Sequence, residues 1–361
     1  RRMLELGAMQ NTKRMLNDND AARGVLESSY PPVTPPAWAS ISTGVNPGKH
    51  GIFEFVRTNP ETGAQRLTTT LDLEHPRIYE MLAMQGIETL VFNPMPPYPI
   101  IPLENLKISS SVFCPEPTYY PSKMYRYCRN FPDYTEIFDA RKGKKSMDKD
   151  MFLELELEKT FQRVKVVEDA LKEESWSLAW IRLQDPDNML HVAYDEVFLG
   201  HPKVIKIFTM LDKLVESSKE LADLLVLVSD HGHKIYEHTV SINTILYNHA
   251  FAKLTTGQGL ADHLEVMESI RAPGLKVEYN RAKTRIPFCV LRILANSKLA
   301  FLIGLGDTVL RVTGRVYDLP RVDPLGSEAY SPTHYSYGIF VRDVNHVERV
   351  KKVLLSYRGI I

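Results

Sequence analysis

The 361-residue chain carries no net charge, because 44 Lys plus Arg are matched by 44 Asp plus Glu. Without a surplus of positive charge there is no long-range field to gather a polyanion, which excludes duplex nucleic acid as a bulk partner. Cysteine is scarce. Cys114, Cys128 and Cys289 are odd in number and lack the paired spacing of a zinc knuckle or redox motif, so they read as buried or incidental thiols. No apolar run approaches the roughly 18 residues of a membrane-spanning helix. Even the apolar stretch 300–305 is bracketed by Lys298 and Asp307. There is no internal repeat and no initiator Met. The chain opens at Arg1 inside a helical pattern (Met3, Leu4, Leu6) and stops at Ile361 just after another (Val347, Val350, Val353, Leu354), which reads as truncation at both ends. Any signal for export would precede Arg1, so the location is left open, with the cytoplasm slightly favoured.

What is present suits a globular protein with a sizeable core: 44% apolar and 24% charged residues. The length fits two domains, or one large α/β domain with an insertion, and the second is preferred. Apolar spacing predicts helices over 76–85, 159–174 and 203–221, and buried strands over 89–92, 177–183 and 224–228. A repeated helix-then-strand order predicts a doubly wound, mostly parallel sheet covered on both faces. In such sheets ligands collect beyond the carboxyl ends of the strands. Residues 94–102 form a short, rigid, Pro-rich loop, and from 249 to 319 the cadence gives way to a basic, mixed stretch that reads as an inserted cap.

The predicted strand ends carry the chemistry. Asp230 and His231, in Ser229-Asp-His-Gly232, offer a carboxylate and an imidazole, both good zinc ligands, although a strand-end Asp also serves as a helix cap. Asp187 and His191 share one face if their segment turns helical, and otherwise form a surface pair. Two such pairs on one sheet suggest two metal ions. Thr34, followed by Pro35, reads as a helix N-cap whose hydroxyl sits at the positive helix end, where a metal can ionise it for attack on phosphorus. Asn93 ends the strand 89–92 and can donate to a phosphate oxygen or simply form the turn before Pro94. His50 reads as a loop-fixing residue, His233 and His238 as outer or solvent-facing residues, and Trp38 as core.

Four blocks, in order, carry a resemblance: Thr34-Pro-Pro-Ala-Trp-Ala-Ser-Ile-Ser-Thr-Gly44, Asn46-Pro-Gly-Lys-His-Gly-Ile52, Asp187-x-x-x-His191 and Ser229-Asp-His-Gly232. Together they resemble the type I phosphodiesterase/nucleotide pyrophosphatase branch of the alkaline phosphatase superfamily. The resemblance implies an alkaline-phosphatase-like catalytic core over 1–248 lacking its first strand, the cap over 249–319, and a truncated return to the core over 320–361. It implies two divalent ions, zinc or manganese, and Thr34 as a nucleophile that becomes phosphorylated. Asp187 and His191 would hold one ion, Asp230 and His231 the other. The last metal His is expected near the C-terminal end, where His334 fits superficially. The family's opening Asp is missing upstream of Thr34, and Phe55 stands where nucleotide-hydrolysing members have Asn. The lack of a Cys-x-Pro-x-Arg signature argues against a sulfatase. The implied activity is hydrolysis of a phosphodiester or related small-molecule phosphoester. A phosphoryl or headgroup transferase or mutase would use the same residues. A non-catalytic metal-binding or membrane-surface protein is the rival suggested by the basic, apolar stretch 281–315.

Overall fold

The computed structural model describes residues 2–59, 65–111, 114, 117–130, 148–235, 240–254, 322–332 and 338–357. His334, His238 and most of the expected cap lie outside the described residues. The chain divides into two compact units, one of residues 1–52 and 69–233, the other of residues 53–68 and 234–361.

Eight short strands occur among the described residues. The first pair, β1 (Val56–Thr58) and β2 (Gln65–Leu67), is antiparallel and belongs to the second unit. The first unit holds the main sheet, made of β3 (Thr89–Phe92), β4 (Leu106–Ser110), β5 (Thr118–Tyr120) and β6 (Leu178–Ile181) in the order β5-β4-β3-β6. The β3 strand runs parallel to both β4 and β6, while β5 joins β4 antiparallel, so the sheet is mostly parallel. The last pair, β7 (Ala329–Tyr330) and β8 (Phe340–Val341), lies in the second unit.

Strand alternation sends successive β3 side chains to opposite faces. Leu90 and Phe92 join a core that includes Phe152, Leu153 and Val167 from the Lys149–Glu173 helix and Val204 and Ile207 from the Pro202–Leu221 helix. Val91 packs the other way, in a cluster with Tyr79 and Ala83 of the Ile78–Met84 helix. Helices therefore cover both faces, and all four β3 residues are buried, which is why a continuous apolar run marks this strand. The second unit has its own core, in which Val350 and Leu354 of the Val347–Leu355 helix pack with Ile245, Leu246 and Phe251.

Several sequence expectations change. The helix expected over 159–174 starts ten residues earlier, at Lys149, with Asp148 capping it by accepting the Asp150 N–H. The strand expected over 224–228 is not formed: this segment pairs with no described strand, and Leu224 and Val226 stand 79% and 69% exposed. An apolar run marks a strand only when a neighbouring edge is there to take its hydrogen bonds, and among the described residues none does. Asp230 and His231 therefore follow an irregular segment, not a strand end.

Candidate active site

The register that pairs Phe92 with Ile181 brings the carboxyl ends of β3 and β6 side by side. The residues leaving those ends interlock. Arg182 is buried, its backbone N–H donates to the Phe92 carbonyl, and its Nε donates to the Asn93 carbonyl at 2.7 Å. Asn93 bends the chain with φ of 51°, a conformation Asn tolerates better than most residues. Its Oδ1 accepts from the Ser111 N–H at 3.2 Å, and its buried Nδ2 has no acceptor among the described residues. Its described link to the cluster below runs through Arg182.

Three residues beyond Arg182, the chain enters the Asp185–Val192 helix, which a proline in the first turn and two early carboxylates favour. The helical turn makes the four-residue spacing effective. Asp187 and His191 face one another, with His191 Nε2 3.4 Å from Asp187 Oδ1. A closer partner is His233, whose Nε2 lies 2.8 Å from the same oxygen. The His191 and His233 rings meet edge-on, 4.8 Å apart between centroids. Burial alone would push the Asp187 carboxyl up. Hydrogen bonds from His191 and His233 outweigh that and hold it well below the usual carboxylate range.

His231 forms the other half. Its Nδ1 lies 3.1 Å from the Gly232 carbonyl, which can only accept, so Nδ1 carries a proton. Its Nε2 lies 3.1 Å from Thr34 Oγ1 and 3.3 Å from Asp230 Oδ2. Burial pushes the Asp230 carboxyl up, and the neighbouring His231 opposes the shift. The Asp230 carbonyl accepts from Ser28 Oγ at 2.6 Å. The His231 and His233 rings are 5.5 Å apart and join the two halves.

Thr34 is the first residue of the Thr34–Thr43 helix, and Val33, not Thr34, is the N-cap. Pro36 has no N–H for a Thr34 hydroxyl to cap, and the Ala37 N–H, the other candidate, donates instead to the Val33 carbonyl at 3.1 Å. The Thr34 side chain is thereby released from capping and turned to His231. Pro35 and Pro36 leave the helix start poor in donors, so an anion there would meet the Thr34 N–H rather than a full turn of amides. The helix is held from behind by His50, whose Nδ1 accepts the Ile52 N–H at 3.1 Å, so that Nε2, 3.0 Å from Ser40 Oγ, is the donor. Trp38 packs edge-on against Trp180 of β6, consistent with a core role.

Asp187, His231 and His233 each offer one ligand atom, and these atoms lie within 4.8 Å of one another. One carboxylate and two imidazoles are the donors a catalytic zinc site uses, with a position left for water or substrate, so the residues fit a divalent cation. The sequence reading placed His191, not His233, beside Asp187. His233 carried a signal that went unused: residues two apart in an extended segment point to the same side, so His-Gly-His can aim both imidazoles together. Gln184 and Arg182, which touch this group, had no sequence signature.

An Asp and His cluster facing a Thr at a helix start, on a mostly parallel sheet, sets a hydroxyl beside residues that fit a divalent cation. Residues 1–295 match the family model for type I phosphodiesterase / nucleotide pyrophosphatase, and the chain belongs to that family. No curated protein matches it. Among solved structures it is similar to phosphonoacetate hydrolase from Sinorhizobium meliloti 1021 in complex with phosphonoacetate, at 15% identity and TM-score 0.42, over 70% of this chain and 60% of that one. The complex of the same enzyme with phosphonoformate matches at 15% identity and TM-score 0.43, over 76% and 62%. The chain thus spans about three fifths of the length of those chains.

Proposed function

We propose that this protein hydrolyses a small phosphoester, a phosphodiester first of all, by metal-assisted attack of Thr34 on phosphorus. The observation that carries the reading is the 3.1 Å approach of Thr34 Oγ1 to His231 Nε2, within the group of Asp187, His231 and His233. Membership of a phosphodiesterase family supports the substrate class. His231 and His233, together with Asp187, would hold one divalent ion, zinc or manganese. Asp230, 3.3 Å from His231, and His191, 3.4 Å from Asp187, are the proposed ligands for a second.

A bound divalent ion supplies charge that lowers the pKa of a neighbouring hydroxyl and offsets charge on the phosphoryl oxygens. The protein supplies the rest. Thr34 Oγ1 forms a bond to phosphorus as the bond to the leaving alcohol breaks, and the hydroxyl proton ends on that alcohol. Water then cleaves the phosphothreonine, which restores Thr34 and releases a phosphomonoester from a diester. The Nδ1–H contact with Gly232 holds the His231 ring with Nε2 turned to Thr34. Asn93 is proposed as the donor to a phosphoryl oxygen, supported by its buried amide nitrogen without a described acceptor.

The test is release of p-nitrophenol from bis(p-nitrophenyl) phosphate by protein loaded with zinc or manganese. Turnover should be lost with a chelator and regained on adding the metal, and acceptor alcohols should not appear phosphorylated. Turnover that ignores the chelator would overturn the metal role, and phosphorylated alcohol as the main product would replace hydrolysis by transfer.

A further inference from the structure

Asp187 accepts from two sides, and the two sides differ in kind. Its Oδ1 faces the imidazoles of His233 and His191. Its Oδ2 accepts a 2.7 Å hydrogen bond from Gln184 Nε2, a neutral amide that is no competitor for a cation. The direction of that amide is fixed from behind, because Arg182 Nη1 donates to Gln184 Oε1. A guanidinium has only donors, so the oxygen of the amide must face Arg182 and the NH2 must face Asp187. Arg182 is itself anchored, since its Nε is taken by the Asn93 carbonyl at the end of β3. Arg182 and Gln184 are both buried, so the chain of contacts is shielded from competing water.

We infer that Gln184, oriented by Arg182, is a positioning residue that occupies Asp187 Oδ2 and so biases this carboxylate toward one-oxygen ligation of a divalent cation through Oδ1. The inference rests on the proposed role of Asp187 as a ligand. Two consequences follow from the geometry. A carboxylate held by this bond with Oδ1 toward the imidazoles favours one-oxygen ligation, which leaves a coordination position for water or a phosphoryl oxygen. The same bond fixes the carboxylate before the ion arrives, which favours binding. The main sheet is thereby tied to the site: the ends of β3 and β6 set Arg182, Arg182 sets Gln184, and Gln184 sets Asp187.

The experiment compares the whole chain with Gln184→Met, which keeps the volume and removes the donor, and with Gln184→Ala, which adds no bulk. Zinc affinity is measured by chelator competition, cobalt(II) is used as the optical probe, and the thermal midpoint is recorded without metal. Asp187→Ala serves as the reference. Loss of an outer partner of this type weakens metal binding by about 10–100-fold. Zinc affinity should fall by that factor in both Gln184 variants. The cobalt visible bands should weaken per ion, as expected when a second carboxylate oxygen raises the coordination number. Unchanged affinity and an unchanged cobalt spectrum in the Gln184 variants, with affinity lost in Asp187→Ala, would overturn the brace and leave the ligand role of Asp187 intact. Affinity that falls only in proportion to a lowered metal-free midpoint, with the cobalt spectrum unchanged, would also overturn it, because Gln184 would then act on folding alone. Full affinity in Asp187→Ala would remove the ligand role and the brace with it.

Discussion

Replacing Arg163 by Met should be among the most damaging single changes in the protein. Arg163, Asp185 and Glu156 have no solvent exposure. Arg163 Nη1 binds Asp185 Oδ1 and lies 3.6 Å from Glu156 Oε2, and Thr160 Oγ1 adds a 2.7 Å bond to the same Asp185 oxygen. The cluster fastens the first residue of the Asp185–Val192 helix, and with it Asp187, to the long Lys149–Glu173 helix. Removing the cation leaves two buried carboxyl groups with the nearer of their compensating charges gone, Lys159 remaining beside Glu156. Breaking a buried pair in this way costs about 3–5 kcal/mol. For a unit of this size that lowers the thermal midpoint by roughly 6–20 °C. Urea titration and calorimetry of Arg163→Met measure the loss directly. Adding Asp185→Asn and Glu156→Gln should recover most of it, since neutral groups no longer need the guanidinium. A loss in Arg163→Met below about 1 kcal/mol, the ordinary worth of an exposed pair, would refute the reasoning.

The same cluster gives a pH prediction. Burial, followed by the charge of Asp185, pushes the Glu156 carboxyl up to about 7. Between its unfolded value near 4.5 and about 7 the folded state holds the extra proton, so this group favours folding at low pH and the contribution is lost as pH rises through 7. Urea midpoints of Glu156→Gln against the parent should diverge in favour of the variant as pH rises across that window, and parallel curves would count against it. His50 works in the opposite sense. Burial lowers its pKa from the ordinary 6.5, so its contribution is complete above 6.5 and is lost as pH falls through the lowered value. His50→Gln should flatten the acid side of the stability profile, and an unaltered acid limb would exclude the effect. Thr34→Ala should abolish turnover with zinc content unchanged, Thr34→Ser should keep part of it, and an active Thr34→Ala protein would leave Thr34 with a structural role only. His233→Ala should lose zinc affinity by more than His191→Ala, whose side chain is 50% exposed and further from Asp187, and the reverse order would restore the pairing read from the sequence.

Legibility in the sequence follows the range of the interaction. The strand Thr89–Phe92 and the helix Pro202–Leu221 were readable because their apolar periodicity reports burial residue by residue. Asp187 and His191 were readable for a similar reason, since a helical repeat alone decides that they meet. The strands Leu106–Ser110 and Thr118–Tyr120 were missed: Lys107, Ser109 and Ser110 are polar, and their burial depends on neighbours distant in the chain. The residues 224–228 erred the other way, because apolar composition cannot supply a pairing edge. His233 and Gln184 acquire meaning only when residues far apart converge on Asp187. Thr34 was found as a hydroxyl at a helix start, and its turn toward His231 depended in part on Pro36, whose missing N–H the sequence displays.

The most direct test of the account is to find where phosphate goes during turnover. Zinc-loaded protein is mixed with a phosphodiester, quenched in acid within the first turnovers, digested and mapped by mass spectrometry. A phosphoryl adduct is expected on the peptide that contains Thr34, absent from Thr34→Ala and absent when zinc is removed. Turnover at the parent rate by Thr34→Ala, or an adduct on another residue, would contradict it.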